Sequence, residues 1–198
     1  MQVNCHYLYL VDNLLDPSHV AWVHKDAFAS PGTEDTPLEI SELDDGVIAS
    51  RWVMDTSVPG YYQPLVKFEG NCDRLQHYEV QFPSIAINKS TYTPSGQGGP
   101  EMTADDNTYI MISYNFLTPI DTDSSRYFWL QQRNTEPDDS AITQRIAEGA
   151  RQAFSEDKDI LEAVHKGMAN TTTRPINLGA DAAANIFRTR LGKLIESE

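Results

Sequence analysis

The sequence predicts an α+β fold in which an antiparallel sheet carries helices on one side. Strand-like runs separated by turn residues fill the middle of the chain, from about residue 38 to about residue 134. The pattern changes at Asp138, where apolar residues begin to recur at helical spacing up to residue 168. A second helix is predicted over about 180–196, after an extended stretch. Strands grouped together and followed by helices are typical of α+β domains.

The predicted strands are marked by their turns. Asp44-Asp45-Gly46 separates two apolar runs, 38–43 and 46–54, and predicts a β-hairpin. Residues 93–107 are rich in Pro, Gly and acidic side chains and predict a loop. The remaining strands are predicted as two runs within 75–92, interrupted at Pro83, and as 108–117 and 126–134.

The N-terminal region is predicted to be a strand followed by a helix. Residues 3–10 alternate with apolar character on both faces, which predicts a strand in the sheet interior. Residues 11–28 read as helical, with Asp16 as the N-cap and Pro17 at the first helical position. A domain that begins on a buried strand leads us to expect a further segment ahead of it.

Composition narrows the class of protein. A chain of 198 residues with 40% hydrophobic residues suits one folded domain. It contains neither an apolar run of the roughly 20 residues that span a bilayer nor a signal-peptide pattern, so we expect a cytoplasmic protein. A net charge of −14 argues against a nucleic-acid partner. Cys5 and Cys72 form no CxxC or CxH pair, so these residues cannot hold a [2Fe–2S] cluster or a Cys-rich zinc site.

The residue types that suit metal chemistry are concentrated in 12–24. His19 and His24 stand five residues apart, and Asp16 precedes the first by three. Two imidazoles and one carboxylate on one face of an octahedron form the site of non-haem iron oxygenases. On a regular helix the two histidines would point about 140° apart, so a shared metal requires a helix end or a distortion, for which Pro17 supplies a reason. Asp16 is expected to accept a hydrogen bond from an imidazole. An ordinary core-facing helix with hydrogen-bonded histidines is the alternative.

The full string resembles the mononuclear-iron motif of the Rieske non-haem iron oxygenases, Asn-x-x-Asp-x-x-His-x-x-x-x-His. The matching residues are Asn13, Asp16, His19 and His24. Residues 10–16 (LVDNLLD) and 156–162 (EDKDILE) resemble the vanillate and dicamba O-demethylase branch. The resemblance covers essentially the whole chain and implies that Asp157 joins His19 and His24 as the third ligand of a mononuclear Fe(2+).

The same resemblance implies further residue roles. Asp16 would bridge to a histidine of a Rieske cluster in a neighbouring subunit and carry electron transfer, and Asn13 would sit beside the iron. Asn88 and Asn115, both on predicted strands, would contact substrate, although the dicamba branch has histidine where Asn115 stands. The alternative for both asparagines is a hydrogen bond to a neighbouring loop, since buried polar groups need partners in any case.

The fold and reaction implied are those of a helix-grip (START/Bet v 1-like) domain, a curved antiparallel sheet around a long C-terminal helix. Residues 1–198 would form one mononuclear non-haem iron catalytic domain without its Rieske domain. This absence could reflect an expressed fragment, a separate Rieske chain or a degenerate remnant. The reaction would be monooxygenation, by O-demethylation or hydroxylation, of an aromatic acid. It would use O₂, a reductase and electrons from a [2Fe–2S] cluster in trans or in the missing domain.

Two rival functions and one assembly state complete the expectations. The rivals are a non-catalytic helix-grip module that binds an apolar ligand, and a hydrolase with Zn²⁺ on the same three ligands. The family works as a ring of three, so a homotrimer is implied. For the isolated chain we expect a weak trimer at best, more readily a monomer, with an exposed apolar patch around Trp22.

Overall fold

The computed structural model describes residues 1–25, 27–31, 33, 35–173 and 175–197. Seven antiparallel strands form one sheet in the order β1-β7-β6-β5-β4-β3-β2, and the helices α1 to α4 complete the α+β architecture that the sequence predicts. The strands are β1 (Gln2–Val3), β2 (Glu39–Leu43), β3 (Gly46–Ser57), β4 (Asn71–Gln81), β5 (Ile85–Pro94), β6 (Tyr109–Pro119) and β7 (Ser125–Arg133). The helices are α1 (Tyr7–Leu15), α2 (Val20–Val23), α3 (Ser140–Ala169) and α4 (Ala182–Glu196), with a 3₁₀ turn at Gly179–Asp181.

The predicted hairpin around Asp44-Asp45-Gly46 is confirmed. β2 and β3 pair around Asp44-Asp45, with Leu43 opposite Gly46. A Cβ on Gly46 would lie 2.4 Å from the carbonyl oxygen of Val80 on β4, so only glycine allows the two strands to approach there. The interruption predicted at Pro83 is the turn between β4 and β5, and the predicted strands near 108–117 and 126–134 are β6 and β7.

The strand predicted over 3–10 is wrong beyond its first residue. Only Gln2–Val3 pairs with β7, and the chain enters α1 at Tyr7, capped by the His6 ring nitrogen, which accepts from the Leu8 amide. The buried residues of α1 are Leu10, Val11, Leu14 and Leu15, a helical spacing. The prediction failed because a short apolar run fits the period of a strand and the period of a helix equally well. Leu10, the last residue of the predicted strand, is the first buried residue of α1.

The single helix predicted over 11–28 is also wrong. Helix α1 ends at Leu15, where Asp16 is the C-cap and not the predicted N-cap. The chain then turns through Pro17, which lacks the amide proton that a continuing helix would use. Helix α2 restarts for only four residues. The irregularity expected from Pro17 is therefore a complete break.

Helix α3 is the predicted long helix. The carboxylate of Asp139 caps it by accepting from the amides of Ala141 and Ile142. One stripe of α3 is buried, and it consists of Ile146, Ala150, Ala153, Asp157 and Leu161. Four of these five residues are apolar. The fifth, Asp157, carries a carboxylate, and a carboxylate is rarely buried in a helix stripe unless it has a partner.

The core has two parts, and α3 connects them. The larger cluster joins α1, α4 and one end of the sheet, including Leu10, Val47, Leu161 and Phe187. The smaller cluster is rich in tyrosine and joins the segment 58–65 to the other end, including Tyr62, Tyr92, Tyr109 and Ile146. Because Leu161 belongs to one cluster and Ile146 to the other, the stretch of α3 between them lies over the gap.

Two further sequence expectations concern cysteine and membranes. Both Cys5 and Cys72 are buried and free, and burial raises the pKa of each thiol to about 11, so they are neutral, unreactive thiols. Within the part of the chain that the structure describes, no helix is both long and apolar enough to cross a bilayer.

Truncation of Phe187 should destabilise the fold. This side chain is fully buried and stacks on Phe82 with ring centroids 4.8 Å apart, fixing α4 to the sheet. Phe187→Ala should lower the free energy of unfolding by about 3–5 kcal/mol because it leaves a cavity. The matched control, Phe128→Ala on the exposed face of β7, should cost less than about 1 kcal/mol. Urea denaturation measures both, and equal losses would contradict the packing described.

Candidate metal centre and adjoining cavity

The break after α1 places both histidines at the ends of one short helix. His19 is the N-cap of α2 and His24 its C-cap, and their ring centroids lie 5.4 Å apart with the planes 79° to each other. The angular separation that would divide them on a regular helix does not apply, because His24 has left helical geometry at φ −112° and ψ 32°. Both rings therefore turn toward the same side.

Asp157 meets the two rings from the middle of α3. Its Oδ1 lies 3.1 Å from Nε2 of His24 and 3.7 Å from Nε2 of His19. The ligand atoms of the three residues all lie within 4.8 Å of one another, and His24 and Asp157 are buried. The structure thus brings together the three residues that the sequence predicted as ligands.

The far nitrogen of each ring is held by an acceptor. His19 Nδ1 bonds the backbone carbonyl of Asp16, and His24 Nδ1 lies 2.7 Å from Oε2 of Glu156. A carbonyl accepts only, and an ionised carboxylate does the same, so each Nδ1 carries the proton. Both Nε2 lone pairs then face Asp157, the tautomer that metal-binding histidines adopt.

Three acceptors that face one another fit a cation. Asp157 Oδ1 is buried, and no described donor satisfies it, because the contact with His24 Nε2 lacks hydrogen-bond geometry. A buried carboxylate oxygen without a donor is costly. A divalent ion among two imidazole nitrogens and one carboxylate oxygen would remove that cost, and this donor set suits iron.

The electrostatics of His24 show how strongly this place attracts positive charge. Burial on its own would lower its pKa, but Asp157 and Glu156 more than reverse that effect and raise the pKa of His24 overall. The raised pKa shows that the two carboxylates favour positive charge at His24.

Glu156 is the residue of this centre for which the sequence predicted no role. It anchors His24, and its other oxygen accepts from the side-chain amide of Gln152 at 3.0 Å, one turn earlier on α3. Glu156 directly precedes Asp157, so neighbouring carboxylates serve two different functions. The adjacent acidic pair was the available signal, since a histidine ligand usually needs a carboxylate or carbonyl behind it.

Asp16 was expected to accept a hydrogen bond from an imidazole, and it does so with its backbone carbonyl. Its carbonyl holds His19, whereas its carboxylate, partly buried, accepts from the Ser18 amide at 2.8 Å. Asn13 lies one turn earlier on α1, and its carbonyl accepts from the Asp16 amide. The structure does not bring Asn13 to the cavity wall described below.

Asn88 and Asn115 form one hydrogen-bonded pair across β5 and β6. Asn88 donates to the carbonyl of Leu14 and accepts from Asn115, whose own oxygen accepts from the hydroxyl of Tyr127 at 2.8 Å. Asn88 lines the cavity, but Asn115 is fully buried behind it and does not. The structure therefore places only Asn88 where a substrate could touch it.

A cavity of about 120 Å³ adjoins the three clustered residues. Its wall is mostly apolar and aromatic, and a few polar side chains point into it. The lining comes from α1, α2, the following loop, strands β4 to β7, the segment 58–65 and α3, and includes Leu14, Phe28, Tyr62, Arg74, Tyr78, Asn88, Met111 and Phe154. Most of these residues carried no distinguishing signal in the sequence, because they are remote in the chain and meet only through the sheet register.

Comparison with known proteins finds a family match over nearly the whole chain. The family model described as vanillate O-demethylase oxygenase C-terminal domain matches residues 3–197. Two iron–sulfur subunits of toluene-4-sulfonate monooxygenase systems from Comamonas testosteroni, TsaM1 and the putative TsaM2, are each 31% identical over 196 residues. These alignments cover 97% of this chain and 56% and 57% of the relatives, so the chain spans little more than half of their length.

A solved structure shares the architecture. The crystal structure of dicamba monooxygenase bound to 3,6-dichlorosalicylic acid matches with a TM-score of 0.88 at 24% identity, over 98% of this chain and 57% of that one. A vanillate O-demethylase oxygenase subunit from a Pseudomonas species is 26% identical over 202 residues, covering 99% of this chain and 61% of the relative. The helix-grip fold predicted from the motifs is confirmed.

Metal affinity should fall as the pH is lowered. A proton on Nε2 of His24 excludes a metal from that nitrogen, and the pKa of His24 is raised, so competition begins above the ordinary imidazole range. Titration with Co(II) between about pH 8 and about pH 5.5 should show affinity falling by up to about tenfold per pH unit below that pKa. An affinity that stays constant over this interval would exclude His24 as a ligand.

Neutralising Glu156 should weaken the centre. Glu156→Gln keeps the shape of the side chain but removes the charged acceptor behind His24, so affinity at neutral pH should fall by about 10–100-fold. The matched control is Glu148→Gln, two turns earlier on α3, where the carboxylate only accepts from Gln144 at the surface. Equal affinities of the two variants for Co(II) would mean that Glu156 does not support the ligand.

Proposed function

This chain belongs to the family of vanillate O-demethylase oxygenase C-terminal domains, and from that premise we propose that residues 1–198 form the mononuclear-iron catalytic domain of a Rieske-type aromatic monooxygenase. The observation that carries the proposal is the largely buried cluster of His19, His24 and Asp157 beside a mostly apolar cavity. The proposed activity is that of a whole oxygenase, and the relatives that suggest it are longer than this chain.

The cofactor proposed for the cluster is Fe(2+). Nε2 of His19, Nε2 of His24 and Oδ1 of Asp157 would bind it and leave coordination positions open toward the cavity. The bound ion would supply the activation of O₂, with electrons from a [2Fe–2S] Rieske cluster and its reductase. Such a cluster would have to come from outside these residues, which have only two, buried, cysteines.

The residues around the cluster would orient the two histidine rings and form the wall against which a substrate binds. Glu156 and the carbonyl of Asp16 hold the two rings in the tautomer that presents Nε2. Phe28 and Phe154 form apolar parts of the cavity wall next to the cluster, where a bound substrate would displace water. The Asn88 amide is fixed by the carbonyl of Leu14 on one side and by Asn115 on the other, so its position on the cavity wall is set before any substrate arrives.

The substrate class proposed is an aromatic acid that carries a methoxy or methyl group. A cavity of about 120 Å³ accepts one aromatic ring after small shifts of its wall, since a cavity of about 150 Å³ binds benzene. One oxygen atom of O₂ would enter a methyl C–H bond and the other would leave as water, using two electrons and two protons. From a methoxy group the product would be a hemiacetal, which collapses to a phenol and formaldehyde. The names of relatives that act on vanillate, dicamba and toluene-4-sulfonate support this class.

Electron entry is proposed at Asp16. It sits partly buried in the turn between α1 and α2, with its backbone already bonded to His19. Trp22, three residues beyond His19, is 80% exposed, as expected for an apolar contact with a Rieske partner. Docking there, in a homotrimer or with a separate chain, would bring a cluster near His19, and light scattering of the isolated chain against concentration measures its assembly.

Metal analysis separates the proposed function from its rivals. Protein prepared without oxygen and loaded with Fe(II) should bind about one equivalent per chain, and His19→Ala or Asp157→Ala should abolish this. His77→Ala, which removes a histidine paired with Glu79 away from the cluster, is the matched control and should bind normally. Zinc as the preferred metal would favour a hydrolase, and no metal at all would favour a non-catalytic apolar-ligand module.

Asp16→Asn should separate electron transfer from metal binding. The substitution keeps the backbone carbonyl that holds His19, so iron content should stay near that of the unsubstituted chain. Turnover reconstituted with a Rieske component and reductase should fall by at least about 100-fold if the carboxylate connects the two centres. The control Asp12→Asn, on α1 and paired with Arg188, should keep both properties. Loss of iron as severe as in His19→Ala would show that Asp16 is itself a ligand.

A further inference from the structure

We infer that Arg74 is the residue that recognises the anionic group of the substrate, a carboxylate or sulfonate on an aromatic ring. The inference rests on the proposed function for the reacting end of the substrate and adds the specificity of the opposite end. It depends on three properties of Arg74: its place on the cavity wall, its burial and the partners that its guanidinium has and lacks.

Arg74 is a buried cation on the concave face of the sheet. It lies on β4, opposite Tyr92 of β5, and is only 2% exposed. Residues alternate in orientation along a strand, so Arg74 and Tyr78 share the face that meets α3, and both line the cavity. An arginine this deeply buried is normally paired with a carboxylate, since an unpaired buried charge is costly.

No carboxylate pairs with Arg74 among the residues that the structure describes. The adjacent Asp73 points to the other face, where its oxygens accept from the amides of Asp55 and Gly98. The guanidinium is held instead by neutral groups: Nη1 donates to the carbonyl of Phe28 at 3.0 Å and to Oγ of Ser30 at 3.3 Å. Its Cζ lies over the ring of Tyr92, 5.4 Å from the centroid.

These contacts hold the guanidinium and leave one of its edges without an acceptor among the described residues. Nε is buried without a hydrogen-bond acceptor, and the described residues provide none for Nη2. Nε and Nη2 form the side of the guanidinium whose two parallel N–H bonds match the two oxygens of a carboxylate or sulfonate. With Nη1 tethered to Phe28 and Ser30 and the guanidinium above the ring of Tyr92, that edge is held in place, so an oxyanion would supply both the missing acceptors and the missing charge.

The position of Arg74 relative to the candidate metal centre suits a substrate held at both ends. The ring of Phe28 packs 5.8 Å from that of His24, while the carbonyl of the same residue accepts from Arg74. Phe28 therefore connects the two ends of the cavity wall. An aromatic ring lying along this wall would direct its anionic substituent to Arg74 and the group to be oxidised to the cluster of His19, His24 and Asp157.

The alternative role for Arg74 is purely structural, as a tether for the loop that carries Phe28 and Ser30. A tether would affect stability, but it would give no preference between charged and neutral ligands of one shape. Charge discrimination is therefore the property to measure, and it can be measured as binding, without turnover.

The probes are 4-methoxybenzoate, 4-methoxybenzenesulfonate and the neutral isostere 4-methoxybenzamide, titrated calorimetrically into the unsubstituted chain with and without Co(II). At least one of the two anions should bind about tenfold or more tightly than the amide, and the better anion identifies the oxyanion geometry that the site prefers. Arg74→Met should abolish this preference: the affinity for the anion should fall by about 30-fold or more, while the affinity for the amide should change by less than about threefold. Arg74→Lys keeps the charge but loses the paired N–H geometry, so its preference for the anion should lie between those of the unsubstituted chain and Arg74→Met.

The matched control is Arg51→Met. Arg51 is a similarly buried arginine on the neighbouring strand β3, but it donates to Gln76 and to the carbonyl of Thr36 and does not line the cavity. Its replacement should leave the preference for the anion intact. If Arg74→Met does not fold, the comparison of anions with the amide on the unsubstituted chain, together with Arg74→Lys, still decides the question.

The outcomes keep this inference separate from the proposed function. Equal affinities for the anions and the amide in the unsubstituted chain would overturn the role of Arg74, even if the chain binds iron. So would a preference that survives Arg74→Met, or one that appears only with Co(II) and therefore reflects a contact with the metal. A preference that depends on Arg74 in a chain that binds no metal would support the role of Arg74 and overturn the proposed iron chemistry instead.

Discussion

The buried carboxylate of Asp157 is the constraint on which the arrangement of this molecule depends. It stands in the apolar stripe of α3, and its Oδ1 has two imidazole nitrogens near it and no hydrogen-bond donor among the described residues. A charge in this position is tolerated only if the backbone around it cannot relax. The two parts of the core supply that rigidity, because they anchor α3 on both sides of Asp157 through Ile146 and Leu161.

The opposing side of the centre is fixed by a chain of hydrogen bonds through the sheet. Tyr127 donates to Asn115, Asn115 to Asn88, and Asn88 to the carbonyl of Leu14 at the end of α1. This chain holds the point where α1 stops and the turn toward His19 begins. A fully satisfied buried network of this kind specifies one conformation. Asn115 therefore lies behind the cavity wall as a member of this network, at a position where the family resemblance implied a contact with substrate.

The limits of prediction from the sequence follow the range of the interactions. The β2–β3 hairpin and helix α3 were predicted correctly because a turn and a helical period are local signals. The N-terminal strand was wrong because a short apolar run fits both periods. The helix 11–28 was wrong because α1 stops before Pro17, where the carbonyl of Leu14 in its last turn accepts from Asn88, 74 residues away. His19 and His24 were found through a spaced motif, and Asp157 only through the family resemblance of residues 156–162. Arg74 had no motif, and its importance appears only when the register of β4 with β5 places it on the cavity wall.

The two ends of the cavity share one physical feature. At one end three acceptors face one another without a cation, and at the other a guanidinium edge lacks an acceptor and a counter-ion among the described residues. Each is a local inconsistency of the kind that natural sequences avoid in a core and retain at functional sites. The missing charges have opposite signs, a cation beside Asp157 and an anion beside Arg74, and the wall between them is aromatic. A metal ion and an aromatic anion would together satisfy both ends, and each would do so with charge of the sign that its end attracts.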